Sequence, residues 1–390
     1  MERVLLLILF FFIGITQQVQ AHIIHINNEG TPAFYLIKPS AFVYDDSGEI
    51  LGEIYKEQNY IYKKKTESCY YIEVENSVGC VPSSVVKEGT IKMQEEELDR
   101  SGKMVYTTKY AQLKDENGNI LYTSQPNRRH YAFEKNDAYY YVRVAGRIAL
   151  LPKADVADDK GIPVLMYHHI VDHKHPKDKL SSTMITVKQL ENNIHVLQQM
   201  HARTITMNDL YDFLQGQKNL GKNTVVLTFD DGLKSNIIYA YPLLKQTKMK
   251  ATNFIITSRI TPTIQPIDTR TLQFISLEEM YKSADVFSFE GHTHALHDVQ
   301  NNKSHFILRD ARLVKEDLQK SKSILPQLYF AYPFGQFNEM TKDILRETGY
   351  RLAFTTKNGY VKYGDDPYEL KRIGIEPTTT INEFTNYLAY

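Results

Sequence analysis

The chain has 390 residues, of which 42% are hydrophobic and 24% are charged, and this length is sufficient for two or three domains with separate cores. Its 46 basic residues (Lys and Arg) equal its 46 acidic residues (Asp and Glu), which excludes binding to nucleic acid or anionic lipid driven by net charge. The 27 Tyr and 18 Phe residues, with no Trp, suit carbohydrate-facing surfaces, but Tyr is equally common in strands.

The N-terminus has the pattern of a secretory signal peptide. A short charged start, MER, precedes the apolar run VLLLILFFFIGI, and a polar stretch then ends at Ala21. The twelve residues of the run are too few to span a bilayer comfortably, although an uncleaved membrane anchor stays open as an alternative. We therefore assign residues 1–21 to a signal peptide and expect a secreted, cell-surface or cell-wall-associated protein.

The first half of the chain contains an internal repeat. Residues 41–86 and 111–156 align without a gap at an offset of 70, beginning with AFVYDDSGEIL and AQLKDENGNIL. Each copy has a turn sequence followed by two alternating strands joined by a tight turn. Self-similarity at a fixed spacing predicts two copies of one small all-β unit, which we place at residues 30–90 and 100–158.

The two cysteines, Cys69 and Cys80, lie in the first copy. They are too few for a disulfide scaffold or a cysteine-rich zinc site. A hairpin turn at residues 75–76 places Cys80 opposite Tyr71 and makes the two thiols diagonal neighbours on one face. In an exported chain a local disulfide is the natural interpretation, and two buried thiols are the alternative.

The paired β units resemble tandem bacterial SH3-like domains, which are short barrels often attached to secreted cell-wall enzymes. The resemblance is one of length and pattern. It implies that the repeats contact cell-wall glycan, whereas a simple spacer between the N-terminus and the rest of the chain is the alternative.

From Gly161 onward the pattern changes to alternating strands and helices. Apolar runs such as VLMY, VVLTF, FII and LYF predict buried strands. Amphipathic helices are predicted between them at residues 186–200, 233–245 and 304–325. This alternation indicates a parallel sheet or a β/α barrel over residues 161–390, in which reactive residues gather beyond the C-terminal ends of the strands.

Polar residues do follow three of these strands. His168 and His169 follow VLMY, and the pair Asp230 and Asp231 follows VVLTF. The element HTHALHD, which begins at His292, comes after the apolar run VFSF. Surface histidines are the simpler explanation of HTHALHD taken alone. Two adjacent carboxylates beside apolar residues repel each other, however, and a bound cation relieves that cost. Two imidazoles and one carboxylate are a ligand set of catalytic zinc, and the second carboxylate can then act as a base.

These motifs resemble the polysaccharide deacetylases, carbohydrate esterase family 4, which share the NodB homology domain. The resemblance rests on TFDDG, the His-Thr…His element and a later Pro-Phe-Gly turn. The segment PVLMYHHI and the histidine spacing are similar to the poly-N-acetylglucosamine deacetylase subgroup. The resemblance to the family extends over residues 163–388. It implies a distorted (β/α) barrel, which is preceded here by the two small all-β repeats.

By resemblance, the metal ligands are Asp231, His292 and His297, and the general base is Asp230. The two histidines are five residues apart, as in the poly-N-acetylglucosamine subgroup, and His294 between them matches no ligand. The implied ion is divalent, with Zn²⁺ expected and Co²⁺ or Ni²⁺ as alternatives.

The segment FAYPFG matches the family element Arg-x-Pro-Tyr, with Ala331 where many members carry the arginine that orients the base. Arg372, near another strand end, is a candidate substitute, and a surface arginine is the alternative. The resemblance implies that the backbone N–H of Phe334 donates to the oxyanion. It also places Tyr332 and Pro333 in the substrate site.

The late Leu-x-x-His motif of the wider family is not evident near the C-terminus. The resemblance to the poly-N-acetylglucosamine subgroup implies instead that the general acid lies in the early Tyr-His element, which here is Tyr167-His168. His168 is the expected acid, with His169 or a purely structural histidine as alternatives. The implied reaction is hydrolysis of N-acetyl groups on an N-acetylglucosamine polymer, either peptidoglycan or poly-β-1,6-N-acetylglucosamine. A non-catalytic cell-wall-binding protein and an O-acetyl xylan esterase are the competing functions.

Overall fold

A computed structural model describes residues 23–98, 102–172, 181–268 and 271–389. The expected signal peptide, residues 1–21, lies outside the described residues. Within these ranges, no helix has both the length and the apolar character needed to cross a membrane.

The N-terminal region is all-β, and its strands belong to one 14-stranded antiparallel sheet. Its strands are β1 (Ile23–Leu36), β2 (Ser40–Tyr44), β3 (Ile50–Tyr55), β4 (Asn59–Lys65), β5 (Cys69–Val74), β6 (Ser77–Pro82), β7 (Val86–Leu98), β8 (Lys103–Thr107), β9 (Ala111–Lys114), β10 (Ile120–Ser124), β11 (Arg129–Glu134), β12 (Tyr139–Val144), β13 (Arg147–Pro152) and β14 (Val156–Asp158).

The elements of the two copies recur at the predicted offset. Strands β2 to β6 and a short 3₁₀ turn are followed by β9 to β13 and an equivalent 3₁₀ turn. The tight turns also lie where the repeat predicts them, with φ of 54° and 57° at Glu75 and Asn76 and of 48° and 78° at Ala145 and Gly146. Positive φ at both central residues is the conformation that matches the twist of a two-residue hairpin. The SH3-like identity of the copies stays a prediction.

The predicted hairpin register of the first copy is confirmed. Tyr71 pairs with Cys80, and Cys69 and Cys80 form a disulfide with their Cα atoms 5.4 Å apart. In the second copy Tyr139 and Leu150 occupy these two positions. The disulfide therefore belongs to one copy and is not part of the repeated fold.

The region from Ile162 onward is α/β. Its strands are β15 (Ile162–Tyr167), β16 (His169–Val171), β17 (Met184–Thr186), β18 (Arg203–Thr204), β19 (Thr224–Phe229), β20 (Ala251–Ile255), β21 (Phe287–Gly291), β22 (Val299–Gln300), β23 (Lys303–Ser304), β24 (Tyr329–Ala331), β25 (Leu352–Asn358), β26 (Tyr360–Val361) and β27 (Leu370–Gly374). Its helices are α1 (Val187–Gln199), α2 (Met207–Leu214), α3 (Tyr241–Gln246), α4 (Leu277–Ser283), α5 (His305–Leu308), α6 (Ala311–Ile324), α7 (Glu339–Glu347) and α8 (Ile381–Leu388).

Parallel strands close into a barrel in this region. The order β19-β20-β21-β24-β25-β27-β15 is completed by pairing of β15 with β19. Every residue of β15 and β19 is buried, as expected for parallel strands covered by helices on the outside. The predicted β/α barrel is therefore confirmed, and the C-terminal ends of its strands meet on one side.

Buried polar contacts join the second β copy to the barrel. Arg129 is fully buried and pairs with Asp159 at 2.5 Å from its Nε, while its Nη1 donates to the carbonyl of Leu220 at 2.9 Å. Glu75, from the hairpin turn of the first copy, accepts a hydrogen bond of 2.7 Å from Asn219 Nδ2. Because both contacts are buried, the β copies are fixed against the barrel in this structure.

Candidate active site and metal centre

The polar residues that follow three barrel strands come together at one end of the barrel. His168 follows β15, Asp230 follows β19 and His292 follows β21. Asp231 and Gly232 have φ of 74° and 70°, so the chain turns sharply directly after the first aspartate. Glycine adopts this conformation without strain, and the turn brings both carboxylates to the mouth of the barrel.

Asp231, His292 and His297 form a cluster able to hold a metal ion. Asp231 Oδ1 lies 3.4 Å from His292 Nε2 and 3.3 Å from His297 Nε2. This oxygen is buried and has no hydrogen-bond partner among the described residues. Two imidazole nitrogens and a carboxylate oxygen that converge in this way fit a catalytic zinc site with an open position.

The protonation states of this cluster suit a metal. His292 Nδ1 lies 2.7 Å from the carbonyl of Ala331, and donation to that carbonyl leaves Nε2 free as a ligand. Burial, together with the neighbouring His292, lowers the pKa of His297 to about 4. Burial alone would raise the pKa of the Asp231 carboxyl, but the adjacent imidazoles lower it below its ordinary value. Neutral histidines and an ionised carboxylate are the forms that bind metals.

Arg372 holds Asp230 in a two-pronged ion pair. Its Nη1 and Nη2 each lie 2.7 Å from a carboxylate oxygen of Asp230, and its Nε donates to the carbonyl of Thr355 at 3.0 Å. Both partners are buried. Burial alone would raise the pKa of the Asp230 carboxyl, but the guanidinium holds it below its ordinary value. An arginine from β27 thus contacts both carboxylate oxygens of Asp230, whereas position 331 carries an alanine.

The two histidines after β15 differ in position. His168 lines the cleft, with its Nε2 3.8 Å from Asp230 Oδ2. The Nδ1 atom of His169 is buried and has no hydrogen-bond partner among the described residues, and burial lowers the pKa of this ring. His168 is therefore the histidine of this pair that stands beside the predicted base.

An open cleft of about 770 Å³ lies over these residues. Phe334 forms part of its wall, has φ of 58° and places its ring 4.6 Å from that of His297. Tyr332 also borders the cleft, but its hydroxyl donates to the carbonyl of Tyr368 at 3.0 Å, and Pro333 is buried beside it.

Sequence reasoning missed the far wall of the cleft. This wall is polar and includes Asn358, the last residue of β25, and Glu376, Thr378 and Thr379, which follow β27. No motif marks these residues. Their positions after C-terminal strand ends were the available signal, since side chains at this edge of a barrel face the site.

The chain is similar to proteins of known family. Residues 217–353 match the family model described as polysaccharide deacetylase. The chain is 29% identical over 205 residues to poly-beta-1,6-N-acetyl-D-glucosamine N-deacetylase of Staphylococcus aureus, covering 50% of this chain and 69% of that protein. It is 27% identical over 235 residues to the enzyme of the same name from Staphylococcus epidermidis, covering 55% and 79%.

A solved structure is also similar. The structure of IcaB from Ammonifex degensii has a TM-score of 0.52 at 27% identity and covers 59% of this chain and 97% of that chain. The family model, the named N-deacetylases and this structure all match the chain. One end of its barrel carries the cluster of Asp231, His292 and His297. The chain therefore carries a polysaccharide deacetylase domain of the NodB type and is homologous to the poly-β-1,6-N-acetyl-D-glucosamine N-deacetylases.

Proposed function

We propose that the protein is an exported, metal-dependent deacetylase that hydrolyses the N-acetyl groups of an N-acetylglucosamine polymer. The observation that carries this proposal is the division between the two adjacent aspartates. Asp230 is paired with Arg372, whereas Asp231 Oδ1 is 3.3–3.4 Å from two imidazole nitrogens and lacks a hydrogen-bond partner among the described residues. One carboxylate is thus available as a ligand and the other as a base.

The ligands of the divalent ion would be Asp231, His292 and His297. This ligand set favours Zn²⁺, with Co²⁺ or Ni²⁺ as alternatives. When bound, such an ion supplies Lewis-acid polarisation and lowers the pKa of a coordinated water.

The remaining chemistry belongs to the protein's own groups. Asp230, kept ionised and oriented by Arg372, accepts a proton from the water that attacks the acetamide carbonyl. The backbone N–H of Phe334 donates to the oxygen that becomes negative. His168 gives its proton to the leaving amine as the C–N bond breaks, which releases acetate and leaves a free amino sugar.

Poly-β-1,6-N-acetylglucosamine is the preferred substrate, because the relatives that cover most of the barrel are named for it. Peptidoglycan is the alternative polymer, favoured if the β copies are SH3-like and contact cell-wall glycan. The open, polar cleft suits a sugar chain better than a small apolar ligand. The presence of both aspartates and of both histidines at 292 and 297 argues against a non-catalytic binding protein, and the named N-deacetylases argue against an O-acetyl xylan esterase.

Acetate release from three substrates tests this function. Purified protein loaded with Zn²⁺ is assayed on poly-β-1,6-N-acetylglucosamine, peptidoglycan and acetylated xylan, before and after removal of the metal by a chelator. We expect release from the first, its loss with the chelator and its recovery with Zn²⁺.

The variant D230N tests the assignment of the base. It should retain Zn²⁺ and lose acetate release by about 10²- to 10⁴-fold, because its side chain cannot accept the proton. Wild-type turnover by zinc-loaded D230N would overturn the assignment. No release from any substrate by zinc-loaded wild-type protein would favour a binding protein instead.

A further inference from the structure

We propose that Asp317, on helix α6, is a positioning residue that holds the loop between the two histidine ligands in the conformation needed for metal binding. This inference rests on the proposed function only in taking His292 and His297 as ligands. Asp317 is remote in sequence from every motif of the site.

The carboxylate of Asp317 binds the backbone of that loop directly. Its Oδ2 accepts a hydrogen bond of 2.7 Å from the amide of His294, and its Oδ1 accepts one of 2.7 Å from the amide of Ala295. Asp317 is buried, and within the described ranges no Lys or Arg forms an ion pair with it. Consecutive backbone amides, rather than a Lys or Arg side chain, are therefore the groups that stabilise its carboxylate.

The loop needs such a partner because its backbone is strained. Thr293, a β-branched residue, has φ of 70° and is fully buried. A non-glycine residue in this region is strained and persists only where the surroundings enforce it. The turn at Thr293 directs the next two amides toward α6, where they would be unsatisfied without Asp317.

The side chain of His294 is linked to the same helix through Thr257. Its Nδ1 lies 3.0 Å from Thr257 Oγ1, which donates to Ser321 Oγ at 3.2 Å. Ser321 is one helical turn after Asp317 on α6. His294 is thus held by α6 directly through its backbone amide and indirectly, through Thr257, at its side chain, while His292 and His297 face Asp231.

Zinc affinity of matched variants tests the inference without relying on activity. In D317N one acceptor oxygen becomes a donor that faces an amide N–H, while the volume of the side chain is unchanged. In D317E the carboxylate is displaced by one methylene. The control is E316Q on the same helix, since Glu316 is exposed and pairs with Arg312 near the surface.

Zinc dissociation constants are measured by chelator competition, together with the melting temperature of each metal-free protein. We expect D317N to bind Zn²⁺ about 10- to 100-fold more weakly than wild type, D317E to be intermediate and E316Q to be unchanged. Excess Zn²⁺ should restore occupancy of D317N.

Wild-type zinc affinity in D317N would overturn the inference. If D317N does not fold, wild-type affinity in D317E would overturn it, because a displaced carboxylate cannot keep both short bonds. Wild-type protein that binds Zn²⁺ but releases no acetate would refute the proposed function and leave this comparison valid.

Discussion

At the scale of single residues, the two adjacent aspartates at the mouth of the barrel have different partners for their negative charges. Asp230 is balanced by the buried guanidinium of Arg372, which contacts both of its oxygens. Asp231 faces His292 and His297, and these three residues form a cluster able to hold a metal ion. Two like charges can stay ionised side by side only because each has its own partner.

Arg372 should set the acidic limb of the pH profile. The guanidinium lowers the pKa of Asp230, and a base must be deprotonated to act. Replacing Arg372 by Met removes the lowering charge and leaves the burial that raises the pKa. The acidic limb of kcat/KM for acetate release should therefore move upward by about 1–3 pH units.

The matched control for this variant is K371M, which alters an exposed neighbour on the same strand and should leave the limb in place. R372K keeps a charge but not the two-pronged geometry, so an intermediate shift is expected. An unmoved limb in R372M would contradict the role of Arg372 as the partner of the base.

At the scale of elements, the two copies of the N-terminal β unit share the same strands and turns but differ in their cysteines. Both copies form the same hairpin with residues of positive φ at the turn. The first copy closes its hairpin with the disulfide between Cys69 and Cys80, whereas the second has Tyr139 and Leu150 at these positions. The predicted amphipathic segment 186–200 agrees with α1, whereas segment 233–245 contains a π-helical stretch (Asn236–Ala240) followed by α3. The longest predicted segment, 304–325, divides into α5 and α6. Asp310 caps the start of α6 there, and a capping residue before a new helix favours a break.

The double variant C69S/C80S should destabilise the first copy without changing catalysis. The cysteines are 11 residues apart, and cross-linking a loop of this size stabilises a fold by about 2–3 kcal/mol. Denaturant unfolding of the oxidised wild type and of the variant measures this loss. Acetate release should be unchanged, because every residue that lines the cleft belongs to the barrel. A fall in kcat would show that the first copy contributes to the site.

At the scale of the whole molecule, buried polar contacts fix the β copies against the barrel. Arg129 reaches from β11 to Asp159 and to the carbonyl of Leu220. Glu75 contacts both Arg128 and Asn219. Buried charges of this kind are costly unless every partner is present, so the two regions depend on each other in the folded state.

Removal of Arg129 should therefore destabilise the molecule as a whole. R129A leaves Asp159 buried without its partner and should cost about 3–5 kcal/mol in the free energy of unfolding. The exposed pair of Arg312 and Glu316 provides the control, since R312A should cost less than about 1 kcal/mol. Calorimetry measures both, and wild-type protein should unfold in one transition. Two separate transitions in the wild type would contradict a fixed arrangement of the two regions.

Much of the site could be predicted because its chemistry is carried by short motifs at strand ends. The strands of the barrel, the pair Asp230 and Asp231, and the histidines at 292 and 297 are local patterns. Hydrophobic runs determine which segments become buried strands, and parallel strands place the residues that follow them on one side. The hairpin register that pairs Tyr71 with Cys80 could likewise be predicted from local sequence, because a two-residue turn determines it.

The sequence by itself therefore determined the repeat, the alternation of strands and helices and the residue types of the metal site. The tertiary structure alone decided which distant residues serve that site. Arg372 pairs with Asp230 across 142 positions of the chain, and Asp317 binds amides that lie 22 and 23 positions away. Contacts of this kind depend on the closure of the barrel and on the packing of α6. The local periodicity of hydrophobic residues predicts neither of these. The physical reason is that a buried charge is tolerated only where folding brings its partner within hydrogen-bond distance.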